Sequence, residues 1–214
     1  MYYESDYLPI LQADMLKMFS VYYLGGVAVD LDVEALKPFP SQWTGPNTAL
    51  ATCDVVLGIE ADCYDDICVK SMRRKGQIQN WAMYARRPRS TFLGELLDFT
   101  VDRYERFYVP HGPNETVEVQ EIAGSGVIAD FVQLYGNFSQ PHYLNETATG
   151  GPSLMSDKRS VLRIKKYNEE VCIVGSRYTG GGCSRWSECL VNHHFEGSWK
   201  KPWKKPPLYN LIAT

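Results

Sequence analysis

The chain has 214 residues, of which 44% are hydrophobic, which is enough for one α/β domain with its own core. Charged residues make up 22% and the net charge is -3, so composition gives no sign of general binding to nucleic acid or to membrane surfaces. We expect neither a signal peptide nor a transmembrane segment within these residues, and we find no internal repeat.

The first predicted element is a helix over residues 9–24, with Pro9 in its first turn. Its apolar stripe at helical spacing consists of Leu11, Met15, Met18 and Tyr22, widened by Leu16 and Phe19. Gly25 and Gly26 end this helix and make a tight connection to the next element. Asp14 and Lys17 are three residues apart on the helix, and a solvated ion pair is the commoner use of that spacing.

Residues 27–31 form an apolar run that is typical of a strand covered on both faces, as in a parallel sheet. Because side chains alternate along a strand, Asp30 and Asp32 are predicted to share one face. Two adjacent carboxylates are tolerated beside a cation, and Mn²⁺ or Mg²⁺ takes carboxylate oxygens while leaving positions for phosphate. The pair therefore predicts a metal and diphosphate site, although an isolated Asp-x-Asp more often lies in a solvated turn.

The remaining predicted elements include both strands and helices. They are a strand at 54–59, helices at 77–86 and 90–107, a small-residue loop at 123–126 that opens a helix to residue 135, and strands at 160–165 and 170–174. Glu60 and Asp62 follow the second strand as further carboxylates. Residues 201–214 form a basic, Pro-rich tail.

Six cysteines and three Asn-x-Ser/Thr sites bear on the compartment. The cysteines form no Cys-x-x-Cys pair, which argues against a zinc ribbon, and their even number permits up to three disulfides. Local bridges are possible for Cys63 with Cys68 and for Cys183 with Cys189, but the sequence leaves the pairing open. The glycosylation motifs begin at Asn114, Asn137 and Asn145, and they indicate the secretory pathway unless they occur by chance.

Two adjacent histidines, His193 and His194, precede a Gly-Ser-Trp turn near the end of the chain. One of them is a candidate metal ligand, because imidazole binds Mn²⁺ through one nitrogen while the other can be oriented by a neighbour. A structural or solvated histidine pair is the commoner case.

Several segments together resemble glycosyltransferase family 32. Residues 13–17 (Ala-Asp-Met-Leu-Lys) and 23–32 (Tyr-Leu-Gly-Gly-Val-Ala-Val-Asp-Leu-Asp) resemble its DXD sugar-binding region. Residues 36–38, residues 80–88 and the His-x-x-Gly-Ser-Trp segment at 194–199 follow in the family's order. Within the family, the chain looks most similar to the fungal initiation-specific α-1,6-mannosyltransferases.

This resemblance implies a GT-A fold, a Rossmann-like α/β architecture, with residues 1–200 as a partial catalytic domain lacking its first βαβ unit. It implies retaining transfer of mannose from GDP-mannose to a protein N-glycan in the Golgi lumen, with Mn²⁺ or Mg²⁺ as cofactor. It implies membrane attachment only through a segment outside this chain, subunits of a mannosyltransferase complex as further partners, and no nucleic acid.

The resemblance also implies roles for individual residues. Asp30 and Asp32 would be the catalytic pair, and Asp30, Asp32 and His194 would hold the metal. The donor would be bound by Asp14, Lys17, Gly26, Asp30, Ser198 and Trp199. Lys17 stands where the family usually has arginine, which keeps the charge but loses the bidentate fork.

Two alternatives to a mannosyltransferase of N-glycans remain open. An inactive or truncated paralogue would act as a subunit of a mannosyltransferase complex. A sphingolipid mannosyltransferase would be expected to carry C-terminal membrane helices, and the sequence shows none.

Overall fold

The computed structural model describes residues 9–62, 76–107, 119–137 and 161–197, together with Ile67, Lys70, Met72 and Arg74. The helices are α1 (Pro9–Leu24), α2 (Thr91–Phe107), α3 (Val119–Ile122), α4 (Ser125–Tyr135) and α5 (Ser176–Thr179). The strands are β1 (Gly26–Val29), β2 (Val33–Ala35), β3 (Val55–Asp62), β4 (Gly76–Ile78), β5 (Ala82–Ala85), β6 (Val161–Lys166), β7 (Glu169–Val174) and β8 (Val191–His193). The predicted tail, Cys63, Cys68, Asn114 and Asn145 lie outside the described residues.

The strands form one mixed sheet and one small sheet. The main sheet has the order β1-β5-β3-β7-β6, with β4 paired to β3 beyond this path, and β2 pairs with β8 in a separate two-stranded sheet. β3 and β7 are parallel, and the other pairs are antiparallel. The chain is therefore a mixed α/β protein whose sheet contains a parallel pair.

The parallel pairing predicted for β1 is wrong, because its partner in the described sheet is the antiparallel β5. β5 lies between β1 and β3 and is antiparallel to both. Consequently β1 and β3 run in the same direction without pairing. The predicted cover on both faces is also wrong, because β1 is at the edge of the described sheet, with half-buried residues and an exposed Val29.

The helix predicted over residues 77–86 is also wrong, since the segment forms β4 and β5. Every residue of these two strands is buried. A short run that is apolar on both faces has no period that distinguishes a helix from a central strand. Here β1 and β3 supply ladder partners on both sides of β5, and this tertiary pairing overrides local helix propensity.

Helix α1 has the predicted bounds, but its buried face differs from the predicted stripe. Leu11 and Met18 are buried as expected, whereas Leu16 is 53% exposed. The buried face of the helix includes the polar residues Asp14 and Lys17. None of the helices in the described part of the chain combines the length and the hydropathy that a membrane span requires.

The main sheet has a hydrophobic cluster on each face. Alternate residues of β3 point to opposite faces, so Val55 and Leu57 belong to the cluster that includes α1, α2 and α4, while Val56 belongs to the other. The second cluster is built from loop aromatics and β5, with Trp43 and Tyr84 buried in it. Layers on both faces leave the ends of the strands as the place where polar groups can gather.

Two disulfides join described parts of the chain. Cys53 before β3 is bonded to Cys172 in β7, across a sequence separation of 119 residues. Cys183 is bonded to Cys189, which confirms that local bridge. The second bridge lies directly before β8, the strand that carries His193.

Candidate functional site

Asp30 and Asp32 lie in a tight turn directly after β1. The predicted strand would have continued to Leu31, but β1 ends at Val29. The backbone N–H of Val33 donates to the carbonyl of Asp30 at 3.1 Å, and the N–H of Asp30 donates to the carbonyl of Trp81 at 2.9 Å. A turn, rather than strand alternation, therefore brings the two carboxylates to one side.

The small β2–β8 sheet brings a distant histidine to this turn. Val33 in β2 is directly opposite His193 in β8, and the N–H of His194 donates to the carbonyl of Asp32 at 3.0 Å. Because neighbouring side chains alternate along β8, the two histidines diverge. The His193 ring lies toward Asp32, whereas the His194 ring lies beside Glu34 at the surface.

Asp30, Asp32 and His193, which we call the cation triad, each offer one ligand atom, and these atoms lie within 4.8 Å of one another. His193 Nε2 is 3.2 Å from Asp32 Oδ1. The other Asp32 oxygen, Oδ2, accepts a hydrogen bond of 3.0 Å from the N–H of Glu196. The structure thus assembles the predicted aspartates with His193 and not with His194.

The donor set of the cation triad fits a divalent cation such as Mn²⁺ or Mg²⁺. Two ligand atoms at right angles on an octahedral ion of this size are about 3 Å apart, and His193 Nε2 and Asp32 Oδ1 have that separation at 3.2 Å. Two carboxylates with one imidazole form a hard oxygen set with one nitrogen, which suits Mn²⁺. A cation here would be held by Asp30, Asp32 and His193.

Lys17 and Asp14 form a buried polar pair on the α1 side of the triad. The Lys17 ammonium donates to Asp30 Oδ1, and it donates at 3.0 Å to the carbonyl of Asn80. It also forms an ion pair of 3.0 Å with Asp14, whose carboxylate accepts a 3.0 Å hydrogen bond from the Asn80 amide. The pair predicted at this spacing is therefore present, but it is buried instead of solvated.

Burial changes the proton affinity of this pair. Desolvation raises the pKa of Asp14 to about 6, and the Lys17 charge opposes this rise only in part. Desolvation also lowers the pKa of Lys17, but the charges of Asp14 and Asp30 outweigh it and place that pKa above its usual value. Lys17 is therefore charged at neutral pH and orients Asp30.

Three aromatic rings stand on the β8 side of the triad. Trp81 is stacked on the His193 ring with centroids 4.7 Å apart, and its Nε1–H donates at 3.1 Å to the carbonyl of Thr179. Phe195 contacts both rings, at 4.1 Å from His193 and 5.7 Å from Trp81. The imidazole therefore has one face on the indole and a tilted phenyl ring beside it, and this packing fixes the plane in which Nε2 faces Asp32.

Gly26, Ser198 and Trp199 are the remaining predicted donor-binding residues. Gly26 begins β1 with φ +83°, next to Gly25 with φ +68°, so both use the left-handed backbone that glycine allows. Ser198 and Trp199 lie outside the described residues. Glu60 accepts a 2.7 Å hydrogen bond from Gln77.

A second group of potential ligands is not a metal site. Cys53, Glu170 and Cys172 also have ligand atoms within 4.8 Å of one another. Both sulfur atoms belong to the disulfide, and Glu170 accepts a 2.8 Å hydrogen bond from Arg163. Disulfide sulfurs are not thiolates, so this group has no metal-binding donor set.

The residue pattern named both adjacent histidines as candidates and the family resemblance selected His194, whereas the structure groups His193 with the two aspartates. A signal for it exists in the alternation of β8, because Val191 is fully buried and His193 shares its side of the strand. Asn192 and His194 belong to the opposite side. The choice between adjacent histidines therefore depended on recognising residues 191–193 as a strand.

Comparisons with known proteins identify no family. No protein-family model matches the chain, and no curated protein matches it significantly. A solved structure described as the PaToxG glycosyltransferase is similar over 62% of this chain, with 17% sequence identity and a TM-score of 0.39. The chain spans 38% of the length of that protein. A likeness of this size carries no inference about activity.

Proposed function

We propose that this chain is a metal-dependent retaining glycosyltransferase that uses a nucleoside-diphosphate sugar. The cation triad is the observation that carries this proposal, because it combines two carboxylates and one imidazole at the end of a strand. The resemblance of residues 13–17 and 23–32 to glycosyltransferase family 32 supports the same activity. That resemblance makes GDP-mannose the donor to test first and an N-glycan the first acceptor.

The charge of the site supports a diphosphate-bearing donor. Asp14 and Asp30 face the Lys17 ammonium and Asp32 faces His193, so three carboxylates with one ammonium leave two negative charges uncompensated when the imidazole is neutral. A divalent cation would balance them, and the diphosphate would bring its own charge to that cation. When bound, the cation would stabilise the negative charge that develops on the leaving diphosphate.

The residues of the chain have separate roles in this proposal. Asp30, Asp32 and His193 would hold the cation, and Lys17 would orient Asp30. The acceptor oxygen would form a bond to the anomeric carbon as the bond from that carbon to phosphate breaks on the same face. The hydroxyl proton would pass to the leaving phosphate oxygen, so no protein nucleophile is required.

The secretory lumen is the compartment that the disulfides favour. Cys53–Cys172 and Cys183–Cys189 would persist in an oxidising environment and would be reduced in the cytosol. This is consistent with the Golgi location that the family resemblance implies.

A non-catalytic, cation-binding subunit of a transferase is the second candidate. It is favoured by the contact of the Lys17 ammonium with Asp30, which already occupies one carboxylate oxygen of the triad. Turnover separates the two candidates, because a subunit of this kind would bind Mn²⁺ without cleaving a sugar nucleotide.

The test is titration of Mn²⁺ and of GDP with Mn²⁺ by calorimetry, followed by a hydrolysis screen of nucleotide sugars. We expect Asp32→Asn to weaken Mn²⁺ binding by about 100-fold, since it replaces a charged carboxylate ligand with a neutral amide. Glu34→Gln is the matched control, because Glu34 lies in the adjoining strand but outside the triad. Unchanged GDP affinity in Asp32→Asn would overturn the proposal.

The adjacent histidines provide a second matched pair in the same titration. His193→Asn should lose Mn²⁺ affinity to a similar degree, because Nε2 belongs to the triad. His194→Asn should bind Mn²⁺ as the wild type does, since its ring contacts Glu34. The reverse result would show that His194 is the ligand and would contradict the assembled triad.

A further inference from the structure

Phe195 is an aromatic residue that remains exposed beside the cation triad. Its side chain is 56% exposed, although one part of the ring packs on His193 at 4.1 Å. The following residue, Glu196, donates its N–H to Asp32 at 3.0 Å. The ring is therefore fixed directly next to a ligand of the proposed cation, with its remaining surface open to solvent.

The backbone is specialised to hold this ring in place. Phe195 has φ +54°, a left-handed conformation that costs a bulky L-residue about 1–2 kcal/mol. A Cβ atom at Gly181 would lie 2.4 Å from the Phe195 ring, so only glycine permits the ring to lie against this backbone. Strained residues of this kind cluster at ligand-binding positions.

The two sides of the triad differ in what they can recognise. On the α1 side, Asp14 and Lys17 are buried, polar and charged. On the β8 side, the open surface is the Phe195 ring, with the exposed carboxylates of Glu196 and Glu34 nearby in sequence and structure. Acidic neighbours disfavour a second anionic ligand and can accept hydrogen bonds from hydroxyl groups.

We propose that Phe195 is the platform for a neutral hexopyranose acceptor, whose apolar C–H face stacks on the exposed ring. This inference rests on the proposed function, since it places the acceptor beside the donor-binding cation. An acceptor enters from solvent in each turnover, so its contact is the exposed ring and not the buried Asp14–Lys17 pair. Phe195 thereby selects a sugar ring by its apolar face.

The experiment measures the affinity for methyl α-D-mannopyranoside and methyl α-D-glucopyranoside by NMR titration, with and without Mn²⁺. Phe195→Leu keeps an apolar contact with His193 but removes the aromatic face, and we expect about a 5- to 10-fold loss of affinity. Phe195→Trp should retain binding. Tyr167→Leu is the matched control, because Tyr167 is an exposed aromatic in the β6–β7 hairpin, away from the triad in the chain.

Two results would overturn the platform: no binding of either hexoside to the wild type, or equal binding by wild type and Phe195→Leu. Mn²⁺ affinity is measured on the same samples and reports on the triad alone. Hexoside binding that depends on Phe195 without any Mn²⁺ binding would refute the proposed function while supporting the platform. Mn²⁺ binding with no hexoside binding would refute the platform while supporting the proposed function.

Discussion

Two clusters of this protein each combine acidic and basic side chains, but they differ in charge balance. In one, Arg74 and Arg103 bind Glu121 and Asp130 through hydrogen bonds of 2.6 to 3.1 Å, so two cations meet two anions. In the other, Asp14 and Asp30 share the single ammonium of Lys17, while Asp32 contacts His193 and the N–H of Glu196. The first cluster is electrically complete, and the second carries excess negative charge.

The difference shows how a structural ion-pair network can be distinguished from a ligand site. Arg74 reaches both carboxylates with its planar fork, and the hydrogen bonds that it donates to Asp130, together with those to Glu121, raise its pKa above the usual value. The triad instead brings Asp30 and Asp32 together, and of these two carboxylates only that of Asp30 contacts the Lys17 ammonium. Clustered carboxylates whose charge the protein balances only in part are typical of cation-binding sites.

Removing one cation from the complete network should produce the largest loss of stability. We expect Arg74→Met to lower the free energy of unfolding by about 3–4 kcal/mol, because it leaves Glu121 and Asp130 with one arginine in a partly buried position. Denaturant unfolding measures this loss. The control is Arg106→Met, which removes an exposed i,i+4 pair with Asp102 and should cost about 0.5 kcal/mol or less. Equal losses would show that the network is not structural.

The fold was predictable where the sequence itself shows a hydrophobic periodicity or glycines that end a helix. Helix α1 was predicted with its observed bounds, since its apolar spacing ends at the glycine pair. Strands β6 and β7 and helix α2 were predicted to within a residue or so. The segment 77–86 failed because its identity as strands depends on pairing with β1 and β3, which no local pattern records.

The site was predictable in its aspartates but not in its assembly. Asp30 and Asp32 stand out in sequence, yet the turn that unites them and the β2–β8 pairing that adds His193 are tertiary features. Asn80 was predicted within a helix, and its contacts with Asp14 and Lys17 depend on the strand connection that it actually forms. Residues this far apart in sequence meet through topology, which composition and spacing do not contain.

The buried Asp14 makes the stability of the cluster around Lys17 dependent on pH. Because its pKa is raised to about 6, the folded state binds the Asp14 proton more tightly than the unfolded state. This contribution to stability is therefore present at low pH and is lost as the pH rises from about 4 to about 6, with no further change above that range. Relative to Asp14→Asn, the wild type should lose between about 2 and 3 kcal/mol over this window. Urea unfolding at several pH values in metal-free buffer measures it, and parallel pH profiles would contradict it.

The smallest expected effect concerns a buried polar residue in the connection between β4 and β5. Gln79 is fully buried, and neither its amide nitrogen nor its oxygen has a hydrogen-bond partner in the described part of the chain. Its backbone N–H donates to Gly58 at 2.9 Å, so Gln79→Met keeps this bond and a similar side-chain shape. Removing an unsatisfied buried amide should raise the free energy of unfolding by about 1 kcal/mol.

Gln77→Met is the matched control for that substitution, because the Gln77 amide donates to Glu60 at 2.7 Å and to Ser125 at 3.1 Å. Removing it leaves two acceptors without their donor, so this variant should lose about 1–2 kcal/mol instead. Thermal and urea unfolding of the two variants should therefore shift in opposite directions. If Gln79→Met is destabilised as much as Gln77→Met, Gln79 is part of a satisfied network, and the expected contrast between the two glutamine amides is lost.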